Sequence, residues 1–171
     1  MSNKKKQNCP LSLEQKIQLA QEQHKEKSKL ENACVPIELK THEQYLEYLK
    51  LIEKDCSKII IVQIDGEDEA DPVINYAKKK MRLESRKRVI EWFGSIAPNS
   101  KALEYTFANS NAFFDYLRTF EAFYIEISDN PFDIHRTDFG IDDIAFIGKK
   151  GDLLLYTTTH EGYAYLNKKY M

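Results

Sequence analysis

The sequence has few cysteines and no long apolar run. Its cysteines, Cys9, Cys34 and Cys56, are widely spaced and form no CxxC pair, which suits neither a disulfide framework nor a zinc site. No apolar stretch reaches the roughly 20 residues that span a bilayer. A secretory signal would have an apolar region after its basic start, and no such region follows MSNKKKQNCP. We therefore expect a cytoplasmic protein with reduced thiols, without a membrane segment, a metal or another cofactor.

The chain also lacks a strong excess of one charge, because its net charge is −2. No overall field therefore favours nucleic acid or a membrane surface as the partner. What the chain does contain is 42% hydrophobic and 12% aromatic residues in a length of 171. A disordered chain is poorer in such residues, and this length is typical of one domain.

Composition divides the chain into a charged N-terminal extension, residues 1–32, and one domain, residues 33–171. The extension is rich in Lys, Gln and Glu with few large apolar side chains. Ser12 followed by Gln15 forms a capping pair, which predicts a surface helix over about 13–31.

The domain combines helical and strand patterns. Residues 58–64, KIIIVQI, form a continuous β-branched run that predicts an interior strand buried on both faces. Residues 143–147 and 153–157 flank a short glycine-bounded turn and predict a β-hairpin. Because helices and strands alternate early while strands cluster late, we predict an α+β fold. It has a mostly antiparallel sheet with helices packed on one face.

Basic residues crowd one predicted helix. Asp71 as N-cap and Pro72 as first helical residue predict a helix that continues to about Phe93. Within its residues 78–88, seven cations stand against Glu84 alone: Lys78, Lys79, Lys80, Arg82, Arg86, Lys87 and Arg88. Such a cluster suits phosphate contacts, but a solvated helix face gives the same pattern. A nucleic-acid-associated protein using the basic helix 78–88 is therefore an alternative, although the acidic helix start disfavours phosphate.

An acidic, turn-rich segment follows later, at residues 128–140 with the sequence SDNPFDIHRTDFG. Its carboxylates suit a partner protein with a basic cleft, because complementary charge speeds association. Two phenylalanines in the same segment are candidate anchors. The candidate partner-binding residues are Asp129, Phe132, Asp133, Asp138 and Phe139 of this segment, with Asp142 at its edge.

Histidines next to carboxylates leave a second alternative, an unrecognised hydrolase that uses His135 or His160. Their spacing matches no metal motif, and no nucleophile elbow or glycine-rich phosphate loop accompanies them. Residues 159–162, THEG, fit a turn in which Gly162 takes a positive φ. We therefore name no catalytic residue and expect binding rather than catalysis.

The C-terminal stretch DDIAFIGKKGDLLLYTTTHEGYAYL, about 25 residues, resembles the ending of small bacterial immunity proteins. The resemblance rests on the predicted hairpin and on the THEG turn that follows it. Those proteins neutralise toxins of contact-dependent or polymorphic toxin systems. The resemblance implies stoichiometric binding of a toxin, without turnover, and it designates no particular binding residue.

Overall fold

The structure is a computed structural model that describes residues 12–64, 71–99, 101–124 and 143–171. These residues form four α-helices: α1 Leu13–Glu31, α2 His42–Glu53, α3 Pro72–Lys80 and α4 Asn111–Leu117. They form nine strands: β1 Cys34–Ile37, β2 Cys56–Gln63, β3 Leu83–Arg88, β4 Glu91–Trp92, β5 Ser95–Ile96, β6 Leu103–Ala108, β7 Asp143–Gly148, β8 Leu153–Thr158 and β9 Tyr163–Asn167. Short 3-10 turns follow β8 and β9.

Seven of the described strands form one antiparallel sheet in the order β1-β9-β8-β7-β2-β6-β3, while β4 and β5 form a separate hairpin. The predicted α+β class with a mostly antiparallel sheet is confirmed. The strand predicted at 58–64 is β2, which lies inside the sheet between β6 and β7. The predicted hairpin is β7–β8.

Helices α2, α3 and α4 cover one face of the sheet. Tyr45 and Leu49 of α2 are fully buried against Ile59 and Ile61 of β2 in the main core. The hydroxyl of Tyr45 also donates to the carbonyl of Leu117 in α4, at 2.6 Å. The regular spacing of apolar residues on α2 thus turns one side of the helix toward the sheet.

The opposite face is covered by the C-terminal end of α1 and by the β4–β5 hairpin. Trp92 of the hairpin is buried and donates its indole N–H to Asp143, at 2.6 Å. The turn residue Gly94 has φ +76° and donates its backbone N–H to Glu31 of α1. A Cβ at this position would collide with the methyl group of Thr158, so the close approach requires glycine.

Local capping explains where the helices begin. The predicted capping pair of Ser12 and Gln15 is present at the start of α1, and Asp71 accepts from the backbone N–H of Ile74 at the start of α3, at 2.9 Å. Gly162 adopts φ +72° after the turn Thr159–Glu161, as predicted. Among the described helices, none combines the length and the apolar character that crossing a membrane requires.

Candidate binding surface at the basic sheet edge

The acidic segment lies outside the described residues. This applies to all six candidate partner-binding residues: Asp129, Phe132, Asp133, Asp138, Phe139 and Asp142. His135 lies outside as well, and of His160 only the backbone is described, within the turn Thr159–Glu161. The structure therefore leaves these residues as predictions.

The basic residues do not lie on one helix, so the prediction of a helix to Phe93 is wrong. Helix α3 ends at Lys80, and the next residue, Met81, is extended with φ −121° and ψ 156° and buries its side chain. The chain then forms strand β3, whose backbone pairs with β6. Pairing with a neighbouring strand has overridden the helix propensity of this segment.

Strand β3 is the last strand of the sheet, so one of its two edges has no neighbouring strand among the described residues. All six of its residues are exposed. The segment joins the lysines at the end of α3 to the basic residues of β3 in one surface, which we call the basic edge. Its members are Lys78, Lys79, Lys80, Arg82, Arg86, Lys87 and Arg88.

Tyr105 of β6 connects the two parts of the basic edge. Its ring lies 5.0 Å from the Nζ of Lys78 and 5.6 Å from the Cζ of Arg86, measured to the centroid. Its hydroxyl accepts from the Nε of Arg86, at 3.3 Å, and donates to Gln63. Cations over an aromatic face are attracted by the ring, so Tyr105 fixes the helix end against the strand.

Few of these cations are neutralised by a described carboxylate. Glu84 contacts Lys58 and Arg82, each at 2.9 Å, and Glu104 contacts Lys87 at 3.0 Å. The hydrogen bond from Lys58 holds the pKa of Glu84 below its usual value. The remaining five have no ion pair with a carboxylate of the described residues: Lys78, Lys79, Lys80, Arg86 and Arg88.

The basic edge has the features that keep an open strand from pairing with another copy of itself. A register shift lies between Leu83 and Ser85 of β3, and bulges and edge charges both oppose uncontrolled strand addition. Two basic edges would repel each other, whereas an acidic strand would not be repelled. The charges of the basic edge therefore favour an acidic strand over a second copy, and its outer backbone edge has no partner strand within the described ranges.

Nothing in the described part of the chain forms a metal site, since it holds no group of three or more His, Cys, Asp or Glu side chains placed to bind an ion. His24 lies with its Nδ1 2.7 Å from Glu91, and His42 with its Nδ1 2.8 Å from the carbonyl of Glu121. Both described histidine side chains thus take part in contacts between separate segments.

Strand β6 is one of the elements that sequence reasoning missed, and with it the pairing that makes β3 a strand. Its residues alternate strictly: Leu103, Tyr105 and Phe107 are buried, while the residues between them are half-buried. This period of two is the signal of a strand with one face in the core. It could have predicted β6, and the position of Tyr105, from the sequence.

Comparisons with known proteins return nothing: no protein-family model, no curated protein and no solved structure matches this chain at a significant level.

Proposed function

We propose that this protein is a non-enzymatic binding module that neutralises a partner protein by stoichiometric contact, in the manner of bacterial immunity proteins. The observation that carries the binding role is the basic edge, an exposed strand at the end of a seven-stranded sheet. The resemblance of the C-terminal stretch to immunity proteins supports the choice of a toxin as the partner.

The partner chemistry follows from the edge itself. An unpaired strand edge offers backbone N–H and C=O groups that an extended segment of another protein can pair with. The five cations that have no ion pair with a described carboxylate favour a segment with acidic side chains, because opposite charges across strands stabilise pairing. We therefore propose an acidic extended segment of the partner protein as the ligand of β3.

Nucleic acid is the weaker candidate for the same surface. Single-stranded nucleic acid binds on accessible aromatic rings, but Tyr105, the ring at the centre of the basic edge, is 2% exposed. The start of α3 carries the carboxylate of Asp71, which disfavours phosphate at that end. A nucleic acid also has no strand to pair with the open backbone of β3.

The acidic segment remains a separate prediction for the same binding role. Asp129, Asp133, Asp138 and Asp142 would attract a basic cleft of the toxin, and Phe132 with Phe139 would anchor it. The two surfaces carry opposite charge, so variants distinguish the two kinds of partner. Charge reversal on the basic edge should weaken binding of an acidic partner, and charge reversal in the acidic segment should weaken binding of a basic one.

The test is capture from native cells by the full chain, with a matched pair of variants. Lys80→Glu/Arg88→Glu reverses two charges of the basic edge that have no ion pair with a described carboxylate. Lys25→Glu/Lys29→Glu reverses two exposed charges on α1. Lys29 lies in the last turn of α1, and Lys80 lies in the last turn of α3. Each double variant therefore loses one favourable cation at a helix C-terminus, so the two should lose similar stability there.

We expect a protein captured by the wild type and by the α1 variant but lost from the edge variant, with unchanged thermal melting. Equal capture by both variants would rule out the basic edge. Capture of nucleic acid alone, with an affinity that falls steeply with salt, would replace the proposal by the nucleic-acid alternative.

A further inference from the structure

The pairing of β3 with β6 determines which backbone groups of β3 point away from the sheet. The N–H of Val89, just after β3, donates to the carbonyl of Ala102, at 3.1 Å. In an antiparallel pair, residues that bond to the partner strand in this way recur at every second position. The register is regular over residues 85–88. Arg86 and Arg88 therefore direct their backbone N–H and C=O groups toward the outer side of the sheet.

The pairing of β6 with its other neighbour, β2, gives the same result. Asn109, just after β6, donates its backbone N–H to the carbonyl of Ser57, at 2.9 Å. Counted back along the regular register of β2 and β6, the same alternation makes Tyr105 bond to β2. Tyr105 lies opposite Arg86, so its backbone groups are directed away from Arg86 and those of Arg86 are directed away from β6.

The side chains of the same two arginines lie on the face of the sheet that α2, α3 and α4 cover. Their partners across the register are Tyr105 and Leu103, which are buried in the main core beneath those helices. Residues directly opposite each other share a face. Lys78 of α3 lies on this face too, over the ring of Tyr105. Lys78, Arg86 and Arg88 have no ion pair with a carboxylate of the described residues.

On the opposite face of the sheet, the charges at this edge are balanced. Lys87 lies opposite Glu104 and contacts it at 3.0 Å. Lys58 of β2 contacts Glu84 at 2.9 Å, and it lies on this face because the next residue, Ile59, points into the main core. The two carboxylates of the edge are thus engaged on this face, while the helix-covered face is left cationic.

Given the proposed function of the basic edge, on which this inference rests, we propose that the ligand is a strand with acidic side chains at every second residue. A strand that pairs with the outward backbone groups of Arg86 and Arg88 places alternate side chains on each face. Carboxylates on the helix-covered face meet cations that no described carboxylate neutralises. A carboxylate on the opposite face meets Lys87, which already has Glu104 as its partner.

The experiment follows the full isotope-labelled chain by NMR at low salt during titration with two synthetic peptides of identical composition. In the alternating peptide, one neutral residue separates two aspartates, and in the adjacent peptide the two aspartates are neighbours. We expect the alternating peptide to bind about threefold more tightly or better, since both carboxylates then reach the cationic face. The amide signals of Arg86 and Arg88 should shift more than those of Ser85 and Lys87, because only outward N–H groups gain a hydrogen bond.

The matched variants Arg88→Gln and Lys87→Gln each remove one positive charge from β3, on opposite faces. We expect Arg88→Gln to weaken binding of the alternating peptide about threefold or more and Lys87→Gln to change it less. The control is strict, because Lys87→Gln also leaves Glu104 without that cation. If binding depended only on net charge, Lys87→Gln would weaken it as much as Arg88→Gln.

The inference is overturned by equal losses in the two variants, by equal affinity for the two peptides, or by the absence of binding to either. The proposed function fails on a different result, namely capture of the partner that does not depend on Lys80→Glu/Arg88→Glu. Capture that is lost from that double variant, together with equal losses in the two single variants, would overturn the alternating pattern alone.

Discussion

The two ends of the sheet are built differently. At one end, β1 has four residues, contains Pro36 and buries Cys34. At the other end, β3 has six residues, all exposed, and no proline. Short length and proline close a strand edge to further pairing, because proline gives no backbone N–H. Among the described residues, only charge and a bulge protect the β3 edge, and it is therefore the edge that we propose for a partner of the right charge.

The β1 end is also held by the C-terminus. Lys168 donates its backbone N–H to the carbonyl of Ala33, at 2.9 Å, and its Nζ to the carbonyl of Asn32, at 2.8 Å. Next to it, Lys169 contacts Asp152 at 2.7 Å and Asp55 at 3.3 Å. No comparable set of contacts among the described residues fastens the outer edge of β3.

The largest expected effect is a difference in folding stability between a substitution at the centre of the sheet and one at its β3 edge. Ile61→Ala in β2 removes a fully buried side chain and should lower the free energy of unfolding by about 2–5 kcal/mol. Leu83→Ala in β3 removes one that is 46% exposed and should cost no more than about 0.5 kcal/mol. Denaturant unfolding measures both. A similar loss for Leu83→Ala would show that β3 is packed rather than open.

The next effect concerns association with the captured partner. Lys80→Glu/Arg88→Glu should slow association about tenfold or more at low salt, because steering between opposite charges acts mainly on this rate. Stopped-flow kinetics at several salt concentrations measure it, with Lys25→Glu/Lys29→Glu as the control. An unchanged rate at all salt concentrations would contradict an acidic partner for the basic edge.

A smaller effect is expected in the acidic segment. If the partner has a basic cleft, charge reversal at Asp133 and Asp138 should slow association and weaken its salt dependence. Phe132→Ala should mainly speed dissociation, by about 1 kcal/mol or more. Surface plasmon resonance separates the two rates. Kinetics that match the wild type in all these variants would exclude this segment and leave the basic edge.

The smallest effect is a pH dependence at the closed end. A hydrogen bond from Tyr170, and then Lys169, holds the pKa of Asp55 below its usual value. Although partial burial pushes it up, the hydrogen bond from Lys169 leaves the pKa of Asp152 lowered as well. Lowered carboxyl pKa values stabilise the fold at neutral pH, and this stabilisation is lost as the pH falls through and below about 4.

Lys169→Met removes the shared cation of this cluster and should flatten the acid limb of the stability curve. Urea unfolding between neutral and acidic pH measures the slope. An equally steep acid limb in wild type and variant would show that the cluster does not fasten the β1 end.

The sequence allowed prediction of the elements whose signals are local. Capping at Ser12 and Asp71, the β-branched run of β2 and the turn between β7 and β8 each specify their element within a few residues. Strand β3 could not be predicted in the same way, because its six residues, LESRKR, contain only one large apolar side chain. They form a strand because β6 lies beside them, and that contact is set by the tertiary fold.

For the basic edge, the residues could be predicted from the sequence but their arrangement could not. All seven basic residues were identified from the sequence, but their common surface depends on the end of α3 at Lys80 and on the ring of Tyr105. Charge composition alone does not distinguish a solvated helix face from an open strand edge, because both are rich in Lys and Arg.

Amide hydrogen exchange of the chain, free and bound to its captured partner, tests the central claim most directly. Amides on the open edge of a strand exchange readily, and pairing with a new strand protects them. We predict slower exchange on binding within Leu83–Arg88 and no change within Cys34–Ile37. Protection that leaves Leu83–Arg88 unchanged and falls within residues 129–142 instead would contradict the assignment of the basic edge as the binding surface.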